Sequence, residues 1–258
     1  MGTKPVSTRV LKEVPVLSQP VALTGVVKAE DRNPHWHQIW ETREKQYKDA
    51  FGGGFPKGKV LNVEGAYLAA KAGAEEGFCV MQYAPRSQRM SWIYLTHGLS
   101  QATFAGGHNA SRVELALHMK SNDKQAPVQV LVRIAQQMLD AGTPLVPGQI
   151  VSSPLSGTSG VGLLEHWLVC EPDKTIPAQL ELPRHQTRIL LLVGISAAEL
   201  DTTLKVKSEL ADGRRVLTEA LQIGGVFPVT DPNRGCMTRR RDFHRFWESA
   251  FQKIQRKR

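Results

Sequence analysis

The sequence contains few cysteines, and their positions indicate neither a disulfide-linked protein nor one stabilised by a structural zinc ion. Cys79, Cys170 and Cys236 are odd in number and lie far apart along the chain. Disulfide scaffolds use even sets of cysteines, and structural zinc sites use closely spaced pairs such as CxxC. Both classes are therefore excluded, and we expect reduced, buried thiols.

Long apolar runs are also absent. No stretch approaches the roughly 20 apolar residues needed to cross a bilayer, and Met1–Val6 has no apolar segment of the kind found in signal peptides. The hydrophobic content of 41% over 258 residues is nevertheless enough for a proper core. We therefore expect a globular cytoplasmic protein.

Strong catalytic motifs are missing as well. Gly53–Lys59 satisfies the GxxxxGK pattern of a phosphate-binding loop, but Val60 stands where Ser or Thr should hold magnesium, and a strand is expected there in place of a helix. Gly157–Gly160 lacks the second glycine of a nucleophile elbow, since that position is Val161. We interpret both segments as loops and rank nucleotide binding at Gly53–Lys59 as the last of the functional hypotheses.

The histidines form no metal-binding pattern. His35 and His37 are accompanied by no HExxH motif and no Cys/His cluster. His97 could titrate near neutrality, although a hydrogen bond to turn backbone is the simpler interpretation. The sequence therefore indicates no catalytic residue, no metal, no cofactor and no enzyme.

The net charge of +9 is concentrated at one end of the chain. The last twenty residues, Arg239–Arg258, hold eight basic and two acidic side chains, a net charge of +6. Such a basic tail is an electrostatic footprint for an acidic partner, nucleic acid included. An apolar stripe from Phe243 to Ile254 runs through the same segment and predicts an amphipathic helix that docks on the core, with recognition of a partner helix as the alternative.

Hydrophobic periodicity predicts an α/β protein. Helical spacing begins at Asn33 and ends at Gly52, and it returns over Pro127–Gly142. Between them, Ser111–Lys120 alternates apolar and polar residues, which predicts a strand with one face in the core and the other in water. The helix Pro127–Gly142 should pack on this sheet.

The second half of the chain also predicts strands and helices. Leu163–Cys170 predicts a strand, and Arg188–Val193, apolar on both faces, predicts the middle of the sheet. Ser196 and Glu199 have the spacing of a capping box and predict a helix to about Leu210. Asp212 opens a further helix that ends at Gly224. Asp231 and Arg234 are expected to form a bidentate pair that fixes the chain end.

Five blocks in order resemble the bacterial suppressor-of-fused domain family. The first is the aromatic strand and turn Trp92–Ser100, and the others follow with compatible spacing: Val113–Leu117, Pro144–Pro154, Leu191–Leu200 and Val229–Gly235. Together they cover about residues 60 to 237. The resemblance implies an α/β (α+β) domain, with a mixed central β-sheet flanked by helices, and no known catalysis.

The resemblance also implies a function. The animal relative is a repressor that holds a transcription-factor peptide as an added strand between two lobes, and this chain lacks the second lobe, so only half of that groove is expected. Bacterial members are often proposed as immunity proteins of polymorphic toxin systems. We therefore expect a non-enzymatic protein-binding module that neutralises a toxin or sequesters a regulatory protein, with a nucleic-acid-associated regulator acting through the basic tail as the alternative.

The expected parts of the chain follow from these observations. They are an extended arm over residues 1–32, a suppressor-of-fused-like domain over 33–237 and a basic amphipathic helix over 238–258. We expect an exposed strand edge or concave surface near Trp92–Ser100 to bind the partner, because aromatic side chains contribute disproportionately at interfaces. The predicted partner-binding residues are Trp92, Tyr94, Thr96, His97, Leu99 and Ser100.

Overall fold

The computed structural model describes residues 38, 41–43, 45–47, 49, 59–61, 78–86, 89–102, 112–123, 125–153, 164–182, 185–206 and 212–256. Several sequence predictions lie outside these residues: the arm 1–32, the helix start at Asn33, His35 and His37, the loop 53–58 and the loop 157–160. Lys59, the last residue of the GxxxxGK pattern, begins a strand.

Eight strands of the described residues form one mixed sheet. They are β1 (Lys59–Leu61), β2 (Cys79–Tyr83), β3 (Trp92–His97), β4 (Val113–Met119), β5 (Ile150–Ser152), β6 (Leu164–Cys170), β7 (Gln179–Leu182) and β8 (His185–Ser196). Their order is β1-β2-β3-β4-β8-β6-β5, and β7 also pairs with β8. Among the strand pairs of the described residues, β4–β8 alone is parallel.

Four complete helices of the described residues cover the two faces of this sheet. They are α1 (Ala126–Ala141), α2 (Ala197–Leu204), α3 (Gly213–Ile223) and α4 (Phe243–Gln255). Residues 38, 41–43, 45–47 and 49 are helical too, and we call them the N-terminal helical segment. None of the described helices is long and apolar enough to cross a membrane.

Alternate side chains of the central strands serve two separate cores. Leu190 and Leu192 of β8 lie in the core beneath α1, whereas Leu191 and Val193 lie in the core beneath α3 and α4. The period of two in a strand sends neighbouring residues to opposite faces, so a strand covered on both sides must be apolar throughout. The prediction that Arg188–Val193 lies inside the sheet is confirmed.

The prediction for β4 was wrong on one point, since all seven of its residues are buried. Glu114 and His118 were expected to face water, but they are 0% and 1% exposed. Their face of the sheet is also covered, so both side chains must find partners within the protein.

Most predicted helices are confirmed, with one shorter than expected. The capping box of Ser196 and Glu199 begins α2, and Asp212 caps α3 by accepting a hydrogen bond from Arg214 N at 2.9 Å. Helix α2 ends at Leu204 and not near Leu210. Its last turn meets Gly213, where an added Cβ would lie 2.2 Å from the carbonyl oxygen of Thr203, so α3 crosses where a longer α2 would continue.

The terminal helix docks on the core, as its apolar stripe predicts. Phe243, Phe246, Ala250 and Ile254 of α4 are buried, and α4 packs closely on α3. The same core contains Val216 and Leu217 of α3, along with other apolar residues beneath the sheet. The basic tail is therefore, over its described part, a structural element of the domain.

Candidate functional site

The predicted partner-binding residues line the strand β3 and the turn after it, but five of the six are buried. Trp92 is half-buried, whereas Tyr94, Thr96, Leu99 and Ser100 are 0% exposed and His97 is 4% exposed. Of these side chains only Trp92 can reach a partner from this conformation. Binding by this segment stays a prediction, since the other five side chains are enclosed within the protein.

Glu114 of β4 organises that turn. Its carboxylate accepts hydrogen bonds from Thr96 Oγ1 at 2.7 Å, from Gly98 N at 3.1 Å and from Ser100 N at 3.2 Å. Gly98 has φ 96°, a left-handed conformation that favours glycine. The chain can therefore leave β3 sharply and point successive backbone donors at one buried carboxylate.

A cation from the N-terminal helical segment completes this cluster. Arg43 Nη2 lies 3.4 Å from Glu114 Oε1 and donates a hydrogen bond to Ser100 Oγ at 2.7 Å. Arg43 is only 2% exposed. Because a buried charge is costly unless it is paired and hydrogen-bonded, this pair ties the N-terminal helical segment to the turn after β3.

His97 is held neutral within the same region. Its ring lies 5.2 Å from the ring of Tyr47, measured between centroids. Burial, and then the positive charge of Arg43, keep the pKa of His97 well below its usual value. Burial likewise raises the pKa of the neighbouring Cys79 thiol to about 12. Neither group changes charge near neutral pH, so the cluster is suited to holding structure.

The opposite end of β3 opens onto a pocket of about 360 Å³. It lies between the start of β3, the end of β4, the loop before β7 and the segment that follows α3. We call it the β4-end pocket, and its lining residues are Arg89, Met90, Ser91, His118, Lys120, Asp173, Thr175, Pro228 and Val229. This volume lies within the range of ligand-binding pockets in proteins.

The inner wall of the β4-end pocket is a line of hydrogen-bonded polar groups. His118 Nδ1 lies 2.9 Å from Ser91 Oγ, and His118 Nε2 lies 3.4 Å from Thr175 Oγ1. The order serine, histidine and carboxylate is that of a nucleophilic triad, but Asp173 Oδ1 is 3.9 Å from His118 Nε2, beyond hydrogen-bond length. Burial lowers the pKa of His118 to about 4, which makes it a poor base at neutral pH.

The segment Thr230–Gly235 closes the sheet beside this pocket. Thr230 pairs with β4 through two backbone hydrogen bonds, from Lys120 N at 3.1 Å and to His118 O at 2.9 Å. Its Oγ1 also accepts a hydrogen bond from Gly194 N of β8 at 3.1 Å. The segment therefore bridges the carboxyl ends of the two parallel strands.

Arg234 makes a bidentate pair, though not with the predicted residue. Its two terminal nitrogens donate to Glu199 Oε1 at 2.6 Å and Oε2 at 2.7 Å, while Asp231 pairs with Lys120 at 2.8 Å. Burial acts to raise the pKa of Glu199, but the Arg234 guanidinium and two backbone donors outweigh it and hold that pKa below its usual value. Spacing along the sequence suggested the nearer acid, whereas the fold supplies a more deeply buried one.

The described part of the basic tail carries cations free of ion pairs. Arg239, Arg241, Arg245 and Arg256 are exposed. None of these four forms an ion pair with another described residue, whereas Arg240 pairs with Asp242 and Lys253 with Glu219. No group of three or more metal-ligating side chains occurs in the described part of the chain.

Fold and site together define an α+β protein whose mixed sheet is covered on both faces. The hydrogen bonds of Thr230 join the carboxyl ends of its two parallel strands. The chain belongs to the suppressor of fused family, because the family model of Suppressor of fused protein (SUFU) matches residues 75–235, more than half of its length. No curated protein matches it.

Solved structures of that family share the fold. One chain of the Sufu–Fu complex crystal structure is 15% identical, with a TM-score of 0.59, and the match covers 84% of this chain and 97% of that one. A SUFU homolog from Neisseria gonorrhoeae FA 1090 is 15% identical, with a TM-score of 0.53 and coverage of 78% and 94%. Drosophila Suppressor of Fused is 14% identical, with a TM-score of 0.58, and 85% of this chain matches 54% of its length. The resemblance and the fold class predicted from the sequence are confirmed.

The β4-end pocket was not predicted from the sequence. Its lining comes from four separate segments, and no local spacing connects them. The alternation of apolar and polar residues in Ser111–Lys120 predicted that His118 is exposed to solvent. For that reason His118 was not recognised as the central residue of the pocket wall. Met90, a large apolar residue just before the aromatic strand, was the one local indication of a surface feature.

Proposed function

We propose that this chain is a non-enzymatic protein-binding module. The observation that carries the proposal is the shared fold with Sufu, which has been solved in a complex with the protein Fu. The chemistry of the described residues agrees with it: the buried histidines have low pKa values, and the buried carboxylates Glu114 and Glu199 are engaged by cations and backbone donors. These groups hold the domain in shape.

The finer form of the proposal is that the module is an immunity or regulatory protein that neutralises a toxin or sequesters a partner. Support comes from the family resemblance of the five sequence blocks, now extended by the family match over residues 75–235. Such a role requires tight binding and no turnover. It predicts a cytoplasmic location, where a toxin would act.

Affinity purification from the native cell, followed by mass spectrometry and reconstitution with the purified partner, tests this proposal. We expect one enriched protein that binds with micromolar or tighter affinity in isothermal titration calorimetry and whose toxic or regulatory activity is blocked by the chain. Enrichment of no protein, or turnover of a small substrate by the chain alone, would contradict the proposal.

A second candidate is association with nucleic acid through the tail Arg239–Arg258. The observation that favours it is the set of four exposed arginines without ion pairs. Deleting the tail would also remove the buried stripe of α4, so the test should change charge alone. We expect R239Q/R241Q/R245Q to weaken binding to a 20-mer duplex and to flatten its salt dependence. The matched control is K174Q/K205Q/R215Q, at three other exposed cations, and equal loss in both variants would contradict a specific role of the tail.

A further inference from the structure

Helix α4 presents a row of exposed polar side chains on the side opposite its buried face. Residues three or four positions apart are neighbours along one side of a helix. Arg245, Ser249, Gln252 and Arg256 have this spacing, and all four are exposed. The apolar stripe of the same helix is buried in the core. We call these four residues the outer row.

The two arginines of the outer row are available to an anion. Neither Arg245 nor Arg256 forms an ion pair with another described residue. Asp242, the acid just before the helix, accepts hydrogen bonds from Nε and Nη2 of Arg240, at 3.1 Å each. The guanidinium of Arg245 lies 5.9 Å from the centre of the Phe246 ring, a contact that does not use its hydrogen-bond donors.

No acid interrupts the outer row. Glu248 lies in the neighbouring row with His244 and Gln255, about 70° round the helix from the middle of the outer row. On its other side, Lys253 pairs with Glu219 of α3. The outer row therefore has an unpaired positive charge at each end and uncharged hydrogen-bonding groups between them.

The dimensions of the outer row match the backbone of a nucleic acid. At a rise of about 1.5 Å per residue, the row extends about 16 Å from Arg245 to Arg256. Phosphates of one duplex strand follow each other at about 3.4 Å along the axis, so the row spans about five of them. Serine and glutamine side chains contact phosphates in protein–DNA complexes, as arginine does. A lipid surface fits less well, because helices that bind it insert their apolar face, and that face of α4 is buried.

We propose that the outer row lies along the phosphate backbone of a nucleic-acid duplex, with its two arginines on separate phosphates of one strand and its serine and glutamine between them. A duplex is favoured over a single strand, because single-strand binding uses accessible aromatic rings for stacking, and Trp247 and Phe251 of α4 pack against the core. This inference rests on the second candidate function, association with nucleic acid through the tail. It assigns that function a surface and a mode of binding that reads no base.

Two variants with the same change of charge test the position of the duplex. Q252E places a carboxylate within the outer row, and Q255E places one in the neighbouring row, at another exposed glutamine of the same helical turn. Binding of a labelled 20-mer duplex at low salt is measured by fluorescence anisotropy. We expect Q252E to bind at least about fivefold more weakly than wild type, because its carboxylate faces phosphate, and Q255E to stay within about twofold. Thermal unfolding followed by circular dichroism should be the same for both variants.

Single arginine variants test the charges of the row. R245Q and R256Q should each reduce the slope of log K against log salt by about 0.9, the value for one phosphate contact. K205Q, at an exposed cation that follows α2, should leave the slope unchanged. Two duplexes of unrelated sequence should bind equally well, because phosphate contacts carry no sequence information.

Equal losses for Q252E and Q255E would overturn the proposed row, while association of the tail with nucleic acid would stand. Tighter binding to a single strand, or a strong preference for one duplex sequence, would likewise overturn the row. Tighter binding to phosphatidylserine vesicles than to the duplex would assign the arginines to a membrane surface instead. If wild type bound no nucleic acid even at low salt, both the row and the second candidate function would fail.

Discussion

At the scale of single residues, the packing of the domain's segments depends on two buried carboxylates, each paired with an arginine that is distant in sequence. Glu114 receives Arg43 together with the donors of the turn after β3, and Glu199 receives Arg234 together with Ser196 N and Met237 N. A buried ion pair is costly to break because the remaining charge is left without a partner. Each pair therefore fixes the relative position of two segments that are distant in sequence: the N-terminal helical segment and β4 in one case, and α2 and the segment Thr230–Gly235 in the other.

We expect E114Q to destabilise the protein strongly. The amide would leave the charge of Arg43 buried without its carboxylate, at a cost of about 3–5 kcal/mol in the free energy of unfolding. Urea denaturation followed by circular dichroism measures this change. The control is E165Q, because Glu165 lies on the exposed side of β6. A loss below about 1 kcal/mol for E114Q, or equal losses for the two variants, would contradict the assigned role of Glu114.

The limits of sequence reasoning are clearest at these residues. The capping box of Ser196 and Glu199 was predictable because its partners are three residues apart, and Arg234 was correctly expected to make a bidentate pair. The prediction that Asp231 would be its partner was wrong. Arg234 pairs with Glu199, which lies 35 positions away in sequence and is brought close by the tertiary fold. Glu114 and His118 looked like the solvent side of an alternating strand, because alternation cannot show whether the second face is covered.

At the scale of elements, the helices and central strands were predictable because each has a strong local pattern. α1, α3 and α4 have apolar stripes, and β8 is apolar on both faces. The end of α2 was not predictable, because contact with the start of α3 determines it. The order of strands in the sheet could not be predicted from the sequence either, because β4 pairs with β8, which is more than 60 residues away.

The α2–α3 contact can be tested at Gly213. An added Cβ would lie 2.2 Å from Thr203 O and 3.0 Å from Val206 Cβ, so G213A must push the two helices apart. We expect a loss of about 1–3 kcal/mol or more, measured by urea denaturation. G235A is the matched control, because its Cβ would meet nothing within 4 Å. Stabilisation by G213A, the usual effect of removing a helical glycine, would show that the helices are not in contact there.

At the scale of the whole molecule, two cores on opposite faces of one sheet make the central strands inaccessible to water. The predicted site residues of β3 are buried for this reason, and groups at the ends of the strands are left to contact other molecules. The β4-end pocket is such a place, and the exposed arginines of the basic tail are a second accessible surface. A domain built in this way can present binding surfaces at its sheet ends while its interior histidines remain neutral.

Those histidines predict how the stability of the whole domain depends on pH. The pKa of His118 is lowered from 6.5 to about 4, with burial as the main cause, and that of His97 is also lowered by burial. Between pH 6.5 and about 4 the unfolded chain binds protons that the folded protein does not, so the free energy of unfolding must fall as the pH falls. One such histidine contributes a slope of up to about 1.4 kcal/mol per pH unit.

Urea denaturation at pH 7.0, 6.0 and 5.0 measures that slope. We expect H118N to be less stable than wild type at pH 7, because the contacts of His118 with Ser91 and Thr175 are altered, but to lose less stability between pH 7 and pH 5. H244N, at an exposed position on α4, should keep the wild-type slope. Glu199 and Asp231, whose pKa values lie below their usual ones, add to acid unfolding only at lower pH. If H118N and wild type lost stability in parallel over this interval, His118 would have to be accessible to protons in the folded state, and the pocket wall would be open to water.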